Sequence, residues 1–390
     1  MFSETKKRIG GILEEAIANK ETAGALVMFL KDGQEEFFEA HGLANVEKNI
    51  PLRRDHIFRL FSMTKPITSA AVMILVDEGK LDLGQPVREV LPGFRGDRVI
   101  INGEKHVTPV PMTLQHLMNM TSGLTYGGEA NETEQQTARF LAECEELVKE
   151  GKGLTTREFA LRLSRIPLAF EPGRAWQYGL SADVLGAVVE EVSGLRYGDF
   201  LQEKIFGPLG MRDTGFYVPE DKQDRLADVY RSMPDGTLVP FTGDQLMVQY
   251  AMRDRPDFES GGAGLVSTID DYARFAQMLL NGGELDGVRI LRPRVVEYMT
   301  SGNLTPLQNE QLVKFFGLSG FTYQHLLRQM RDSGSYATLS RDGEYGWDSW
   351  TGCYFANIPS ENRCMLLLEQ KAECGTPQFA RKIRNMWLAD

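Results

Sequence analysis

Two segments of the chain place a serine three residues before a lysine, a spacing that suits nucleophilic catalysis. They are residues 3–6 (Ser-Glu-Thr-Lys) and residues 62–65 (Ser-Met-Thr-Lys). A serine hydroxyl is a poor nucleophile until a base takes its proton, and positions i and i+3 share one face of a helix. A lysine whose pKa is lowered by burial could be that base. The spacing alone is weak evidence, because about one match is expected by chance in a chain of this length.

The surrounding sequence separates the two matches. Ser3 lies in a charged segment that offers nothing to bury it. Ser62 opens an apolar helical pattern over residues 62–80 and follows the apolar run 57–61, so both Ser62 and Lys65 should be buried. The positive end of the helix dipole would favour the developing alkoxide. The alternative is a serine N-cap followed by a lysine that extends to solvent, and this segment leaves both interpretations open.

Residues 171–178 supply a second candidate for proton transfer. This turn ends at Tyr178, just before a predicted helix that begins at Ser181. A buried tyrosine beside a lysine ammonium would have its phenolate favoured, which suits a general base. Taken by itself, Tyr178 is better explained as a packed core aromatic than as a base.

Composition limits the function classes. The 390 residues carry a net charge of −11, which argues against non-specific binding to nucleic acid or anionic membranes. The first twenty residues are amphipathic and contain no continuous apolar segment, which favours a cytoplasmic protein without a membrane span. The four cysteines are expected to be reduced: Cys144, Cys353, Cys364 and Cys374. No phosphate-binding loop or zinc motif occurs, which argues against a nucleotide site of that kind and against a structural zinc. No Gly-x-Ser-x-Gly motif occurs, which argues against an α/β-hydrolase.

The predicted elements suggest one sheet built from both ends of the chain. Strands are predicted around Asp32-Gly33 and around residues 359–362, each pair as a hairpin, and residues 315–328 also look extended. Helices are predicted at 114–120, 132–149, 156–163, 181–192, 269–280 and 378–387. Residues 1–84 together with 285–390 are therefore expected to form a sheet-containing lobe, and residues 85–284 a mainly helical lobe.

An ordered set of motifs resembles the serine β-lactamase and penicillin-binding-protein superfamily, with class C β-lactamases and family VIII carboxylesterases as the nearest branch. The motifs are the segment 61–65 with 79–83 (Gly-Lys-Leu-Asp-Leu), the blocks 112–117 and 120–124, the turn 172–178, the segment 262–271 and the segment 345–352. Any one of them is unspecific. Together they follow the family's order over about residues 10–390.

The resemblance implies an α+β fold, in which helices flank an antiparallel sheet and a mainly helical lobe covers it. It also implies a Ser62 nucleophile that forms an acyl-enzyme, with Lys65 and Tyr178 as the proton-transfer pair and the base left open. The backbone N–H groups of Ser62 and Trp350 would form the oxyanion hole. No cofactor is implied, and the partner is a small-molecule ester.

Two departures from the family pattern bear on the substrate. The lactamase Tyr-x-Asn motif reads Tyr178-Gly179-Leu180 here, and the lactamase Lys-Thr-Gly motif is replaced by residues 347–349 (Trp-Asp-Ser). The cation that seats a lactam carboxylate is thus missing, and Asp348 would repel an anionic substrate. Esterases of this family usually show Trp-Gly-Gly, so the side chain of Ser349 could crowd the pocket. Substrate contacts are expected from Trp176, Trp347, Asp348 and Ser349, and core packing explains the tryptophans equally well.

Three hypotheses follow from these motifs. The first is a cytoplasmic carboxylesterase that cleaves small neutral esters, with acyl transfer to an alcohol as a variant. The second is a β-lactamase or D-alanyl peptidase, which the missing cation disfavours. The third is a catalytically silent binding protein on the same scaffold, which the retained Ser62, Lys65 and Tyr178 disfavour. The sequence does not indicate an oligomeric state.

Overall fold

The fold was analysed in a computed structural model, which describes residues 2–95, 98–101 and 103–390. An eight-stranded antiparallel sheet has the strand order β12-β13-β14-β15-β16-β1-β2-β3. Its strands are β1 (Gly24–Lys31), β2 (Gln34–Asn45), β3 (Ile50–Pro51), β12 (Phe321–Gln324), β13 (Leu327–Met330), β14 (Tyr345–Asp348), β15 (Tyr354–Ile358) and β16 (Arg363–Glu369). Both ends of the chain therefore build one sheet, because β1 pairs with β16 from Ala25–Glu369 to Lys31–Arg363.

Four two-stranded sheets account for the remaining strands of the described residues. They are β4 (Phe58–Arg59) with β9 (Val266–Ser267), β5 (Arg98–Ile101) with β6 (Glu104–Val107), β7 (Tyr230–Ser232) with β8 (Leu238–Pro240), and β10 (Glu284–Leu285) with β11 (Val288–Arg289). The α-helices are α1 (Ser3–Ala18), α2 (Thr64–Asp77), α3 (Val87–Val90), α4 (Leu114–Met118), α5 (Glu132–Lys149), α6 (Thr156–Leu163), α7 (Ser181–Ser193), α8 (Tyr197–Leu201), α9 (Gly207–Leu209), α10 (Ile269–Leu280), α11 (Pro293–Met299), α12 (Pro306–Phe316) and α13 (Gln378–Leu388).

Helices cover both faces of the sheet, so its central strands are apolar without alternation. Alternate residues of β1, including Val27 and Phe29, contact the terminal helices α1 and α13. The intervening residues, including Leu26 and Met28, join the large core that contains α2 and α10. Trp387 of α13 stacks on Phe29 with 4.9 Å between ring centroids. A strand covered on both sides needs no polar face, which is why residues 24–30 form a continuous apolar run.

The fold class expected from the sequence is confirmed: an antiparallel sheet flanked by helices, with α+β organisation. The expectation for residues 315–328 is wrong in part. Phe315 and Phe316 end α12, which closes at Gly317 with a φ of 69°, and a hairpin of two short strands follows. The division into lobes 1–84 with 285–390 and 85–284 stays a prediction. No helix in the described parts of the chain is long and apolar enough to cross a lipid bilayer.

Candidate active site

Ser62 lies in a single 3-10 turn, Phe61–Met63, that leads directly into α2. The preceding residue, Phe61, has a φ of 41°, a left-handed conformation that a bulky side chain rarely adopts. The ring of Phe61 packs against Trp350 at 5.0 Å between centroids, and this contact holds the turn in place. Backbone strain of this kind concentrates at functional sites, where the surrounding packing enforces it. The helix predicted from Ser62 therefore begins two residues later, at Thr64.

Lys65 is fully buried and points its amine at the Ser62 hydroxyl. Lys65 Nζ donates to Ser62 Oγ at 3.2 Å, to Tyr126 OH at 3.1 Å and to the carbonyl of Gly262 at 2.8 Å. No carboxylate of the described residues forms an ion pair with it. Burial lowers the pKa of Lys65 to about 7, against a smaller opposing effect of Asp183 and Asp348. The amine is thus partly neutral near pH 7 and can accept a proton from Ser62.

A glycine-rich loop supplies the carbonyl that orients Lys65. Asp183, at the start of α7, accepts hydrogen bonds from Ser260 Oγ at 2.5 Å and from the Gly262 backbone N–H at 3.1 Å. A Cβ at Gly262 would meet the Asp183 carboxylate at 2.7 Å, so only glycine fits there. The sequence predicts this segment only as a tight loop before α10. The structure adds that its Gly262 carbonyl is a partner of the lysine.

Tyr178 lies beside the same lysine, in the loop before α7. Lys65 Nζ is 4.6 Å from the centroid of the Tyr178 ring. Trp347 Nε1 donates to Tyr178 OH at 2.9 Å. Burial raises the pKa of Tyr178 well above its usual range, although the Ser62 and Trp347 side chains partly offset the rise. The expectation that a neighbouring ammonium favours the phenolate is therefore wrong, because desolvation is the larger effect.

Aromatic rings packed around Tyr178 fix its position. Trp176 is 3% exposed, and its ring centroid lies 6.2 Å from that of Tyr178. Trp347 is 1% exposed and lies 5.6 Å from Tyr178 by the same measure. Phe316 of α12 packs edge-on against Tyr178 at 5.2 Å. Both tryptophans were predicted to bind substrate, but in the structure they surround the tyrosine and do not line the cavity.

Tyr126 is a member of the site that the sequence analysis missed. Its hydroxyl accepts the hydrogen bond from Lys65, and its ring lies edge-on to Tyr178 at 5.6 Å. Burial raises the pKa of Tyr126 well above its usual value, so it stays a neutral phenol. The signal for Tyr126 in the sequence was weak. It consists of one tyrosine and two glycines that follow Thr125, after the block 120–124.

The third motif presents two polar side chains at the end of β14. Asp348 is half-buried and accepts a hydrogen bond from Thr376 Oγ1 at 2.6 Å. Ser349 is buried, and its Oγ bonds Thr351 Oγ1 at 2.8 Å and accepts from the Thr351 backbone N–H at 3.0 Å. The Ser349 hydroxyl therefore stabilises the turn between β14 and β15. Ser349 also lines the cavity described below, and the expectation that it crowds the pocket stays a prediction.

Two backbone N–H groups near the nucleophile lack an intramolecular acceptor. Neither the amide of Ser62 nor that of Trp350 donates a hydrogen bond to any described residue. The Phe61–Trp350 ring contact brings these two segments together. An oxyanion hole needs two unpaired N–H groups close to the attacking atom, so these two amides are the candidates for that role.

Ser62 lines a cavity of about 640 Å³. Its lining residues are Ser62, Tyr126, Gly127, Ala138, Leu141, Ala142, Glu145, Tyr178, Gln245, Leu246, Phe316, Asp348, Ser349, Trp350, Glu373 and Gly375. One wall is helix α5, whose residues Ala138, Leu141 and Ala142 form an apolar stripe at helical spacing. No group of three metal-ligating side chains occurs among residues 2–95, 98–101 and 103–390.

Comparison with known proteins agrees with this arrangement. The sequence profile of the family described as Beta-lactamase matches residues 10–385. The chain belongs to the beta-lactamase family. An uncharacterized protein of Mycobacterium tuberculosis is 33% identical over 84% of this chain and 81% of its own length. Esterase EstB of Burkholderia gladioli is 35% identical over 68% of each chain.

Solved structures place the chain within the same superfamily. EstCE1, described as a hydrolase with promiscuous acyltransferase activity, superposes with a TM-score of 0.82, with 25% identity and 98% of each chain covered. Unliganded simvastatin synthase from Aspergillus terreus superposes with a TM-score of 0.78 at 22% identity. The superposition covers 99% of this chain and 97% of the synthase chain, so the two proteins share the fold. The chain is therefore a serine hydrolase of the beta-lactamase fold, close to the family VIII esterases.

Proposed function

We propose that this protein is a carboxylesterase that cleaves small neutral esters through an acyl intermediate on Ser62. The observation that carries the proposal is the contact between the buried Lys65 amine and the Ser62 hydroxyl, at 3.2 Å, at the edge of the cavity. The similarity to an esterase, EstB, supports the same activity. We also propose a cytoplasmic location, because the first twenty residues are amphipathic and contain no continuous apolar segment.

The proposed reaction begins with proton transfer from Ser62 Oγ to the neutral amine of Lys65. Oγ then attacks the ester carbonyl carbon, and the free N–H groups of Ser62 and Trp350 stabilise the resulting oxyanion. When the C–O bond breaks, the alcohol leaves with a proton delivered through Tyr178 and Lys65. Water then attacks the acyl-serine, releases the carboxylic acid and returns the proton to Ser62.

Lactam hydrolysis and D-alanyl peptidase activity fit the cavity less well. Both reactions use a substrate carboxylate, which would need a cationic partner. Among the described residues that line the cavity there is no lysine, arginine or histidine, and Asp348 lies at the third motif. The carboxylate of Asp348 would repel an anionic substrate, because no cationic side chain of the lining compensates it.

Acyl transfer to an alcohol is the second candidate. A cavity of about 640 Å³ is larger than a short acyl chain requires, so an acceptor alcohol could enter beside the acyl-serine. The promiscuous acyltransferase activity named for EstCE1 supports this variant. It uses the same acyl-enzyme and differs only in the group that attacks it.

The test is a comparison of initial rates on p-nitrophenyl butyrate and nitrocefin, with the Ser62→Ala variant as the blank. We expect ester hydrolysis that disappears in the variant, and little nitrocefin hydrolysis. Butanol added during the assay should divert acyl groups to butyl butyrate if transfer occurs. Faster nitrocefin hydrolysis would overturn the proposal in favour of a lactamase, and inactivity on both would support the silent binding protein.

A further inference from the structure

The charged groups that line the active-site cavity all have the same sign. They are the carboxylates of Glu145, Asp348 and Glu373, and no cationic side chain lines the cavity in the described part of the chain. A cleft lined by one sign of charge focuses its field and raises the local concentration of the opposite charge. The lining therefore discriminates between substrates by their charge as well as by their size.

The three carboxylates differ in how far neighbouring groups neutralise them. Asp348 accepts a hydrogen bond from the hydroxyl of Thr376, and this neutral group does not compensate the charge of the carboxylate. Glu373 pairs with Arg231 Nη2 at 3.1 Å, but both side chains are exposed, and ion pairs of this kind are weak. Their negative charges therefore remain available to a cation in the cavity.

Glu145 is the least compensated of the three. Its side chain forms neither a hydrogen bond nor an ion pair with any described residue, and the nearby Lys149 pairs with Glu146 instead. Burial raises the pKa of Glu145, Lys149 lowers it, and Asp244 and Glu146 raise it further. Acidic neighbours thus outnumber basic ones around this wall of the cavity.

Aromatic rings border the same space. Tyr126, Tyr178, Phe316 and Trp350 all line the cavity. The face of an aromatic ring attracts a cation, most strongly when the cation carries apolar substituents and sheds water easily. Rings and carboxylates around one cavity form the surroundings that bind a substituted ammonium group.

We propose that the cavity favours esters that carry a cationic group, of the alkylammonium class, over neutral esters of the same shape and over anionic ones. This inference rests on the proposed function and specifies its substrate class. The aliphatic wall of Ala138, Leu141 and Ala142 would contact the apolar part of the same substrate.

The test compares two thioesters that differ at one atom. Butyrylthiocholine and S-(3,3-dimethylbutyl) thiobutyrate have the same shape, with a charged nitrogen in the first and a carbon in the second. We expect kcat/KM to be about 5- to 20-fold higher for the cationic thioester at low salt. The ratio should fall as the NaCl concentration is raised to about 0.5 M, because salt screens exposed charges.

Matched variants identify the source of the preference. In Glu145→Gln we expect the ratio to fall about threefold, and in the double variant with Glu373→Gln further towards one. Glu132→Gln removes the same charge from the first turn of α5, outside the cavity, and should leave the ratio nearly unchanged. The neutral thioester is the internal reference, so a general loss of activity does not alter the ratio.

Failure of this inference is distinguishable from failure of the proposed function. If p-nitrophenyl butyrate is hydrolysed and the thioester ratio is one or less, the charge preference is wrong and the esterase proposal stands. If no ester is hydrolysed, binding of the two thioesters to the Ser62→Ala variant is compared by isothermal titration calorimetry. Equal affinities would then overturn the charge preference as well, and tighter binding of the cation would support it.

Discussion

The two Ser-x-x-Lys segments of this chain share a pattern but not an environment. Ser3 is the exposed first residue of α1, and Lys6 is only partly buried. Ser62 lies directly before α2, and Lys65 is completely buried among hydrogen-bond acceptors. Both serines are at the beginning of a helix, so the helix dipole does not distinguish them. The difference is burial, which lowers the pKa of the lysine and makes it a usable base.

The largest effect expected from this comparison is at the serines. Ser62→Ala should reduce ester turnover at least about 10³-fold, because the variant lacks the hydroxyl that is proposed to attack the ester. Ser3→Ala should have no effect. The measurement is kcat/KM on p-nitrophenyl butyrate, with circular dichroism to show that both variants fold. Retained turnover in Ser62→Ala would remove Ser62 as the nucleophile.

The lysines should show the next largest difference. Lys65→Met keeps most of the buried volume but removes the amine, and should lower kcat by about 10²- to 10³-fold. Lys6→Met should leave kcat unchanged. Thermal melting curves identify any loss of folding in the buried variant. A loss of only a few-fold in a folded Lys65→Met protein would reduce Lys65 to a packing role.

The two tyrosines that contact Lys65 sharpen the comparison within the site. Tyr178→Phe should cost about 10²-fold in kcat if Tyr178 relays a proton. Tyr126→Phe removes only one of three hydrogen-bond acceptors of Lys65, so a loss of a few-fold is expected. The rates of single-turnover acylation and deacylation measure both. Equal losses in the two variants would contradict a special role for Tyr178.

An effect smaller than that of Tyr178→Phe is expected from the pH. Lys65 must be neutral to accept a proton, and the neutral fraction increases as the pH rises through its pKa of about 7. Ester kcat/KM should therefore rise by about tenfold between pH 6 and pH 8, with one ionisation near 7. A profile that stays flat until pH 9 would mean that Lys65 remains protonated and that another group is the base.

Several elements were predictable because their signals are local. Helices α5, α6 and α10 have the predicted boundaries. In each, the side chain of the residue before the first turn accepts a hydrogen bond from a backbone N–H of that turn; these residues are Asn131, Thr155 and Thr268. The hairpin between β12 and β13 was not predicted. Its turn residues His325 and Leu326 both have positive φ without being glycine or asparagine, so no turn signal was present.

The candidate site was predictable only in part, for the same reason. Ser62 and Lys65 lie three residues apart on one turn, and their contact follows from helix geometry. Tyr126, the Gly262 carbonyl and the α5 wall come from distant parts of the chain, and only packing brings them to Lys65 and the cavity. Trp176 and Trp347, which were expected to contact a substrate, pack against Tyr178 in the tertiary structure.

By itself the sequence determined the family, the fold class and the nucleophile candidate, because ordered motifs and helical spacing are properties of the chain. The tertiary structure decided the protonation of the site. Desolvation lowers the pKa of Lys65 and raises that of Tyr178, and both shifts depend on atoms remote in sequence. The shape and the charge of the cavity were decided in the same way, because residues of α5, of β14 and of two loops meet only in the folded molecule.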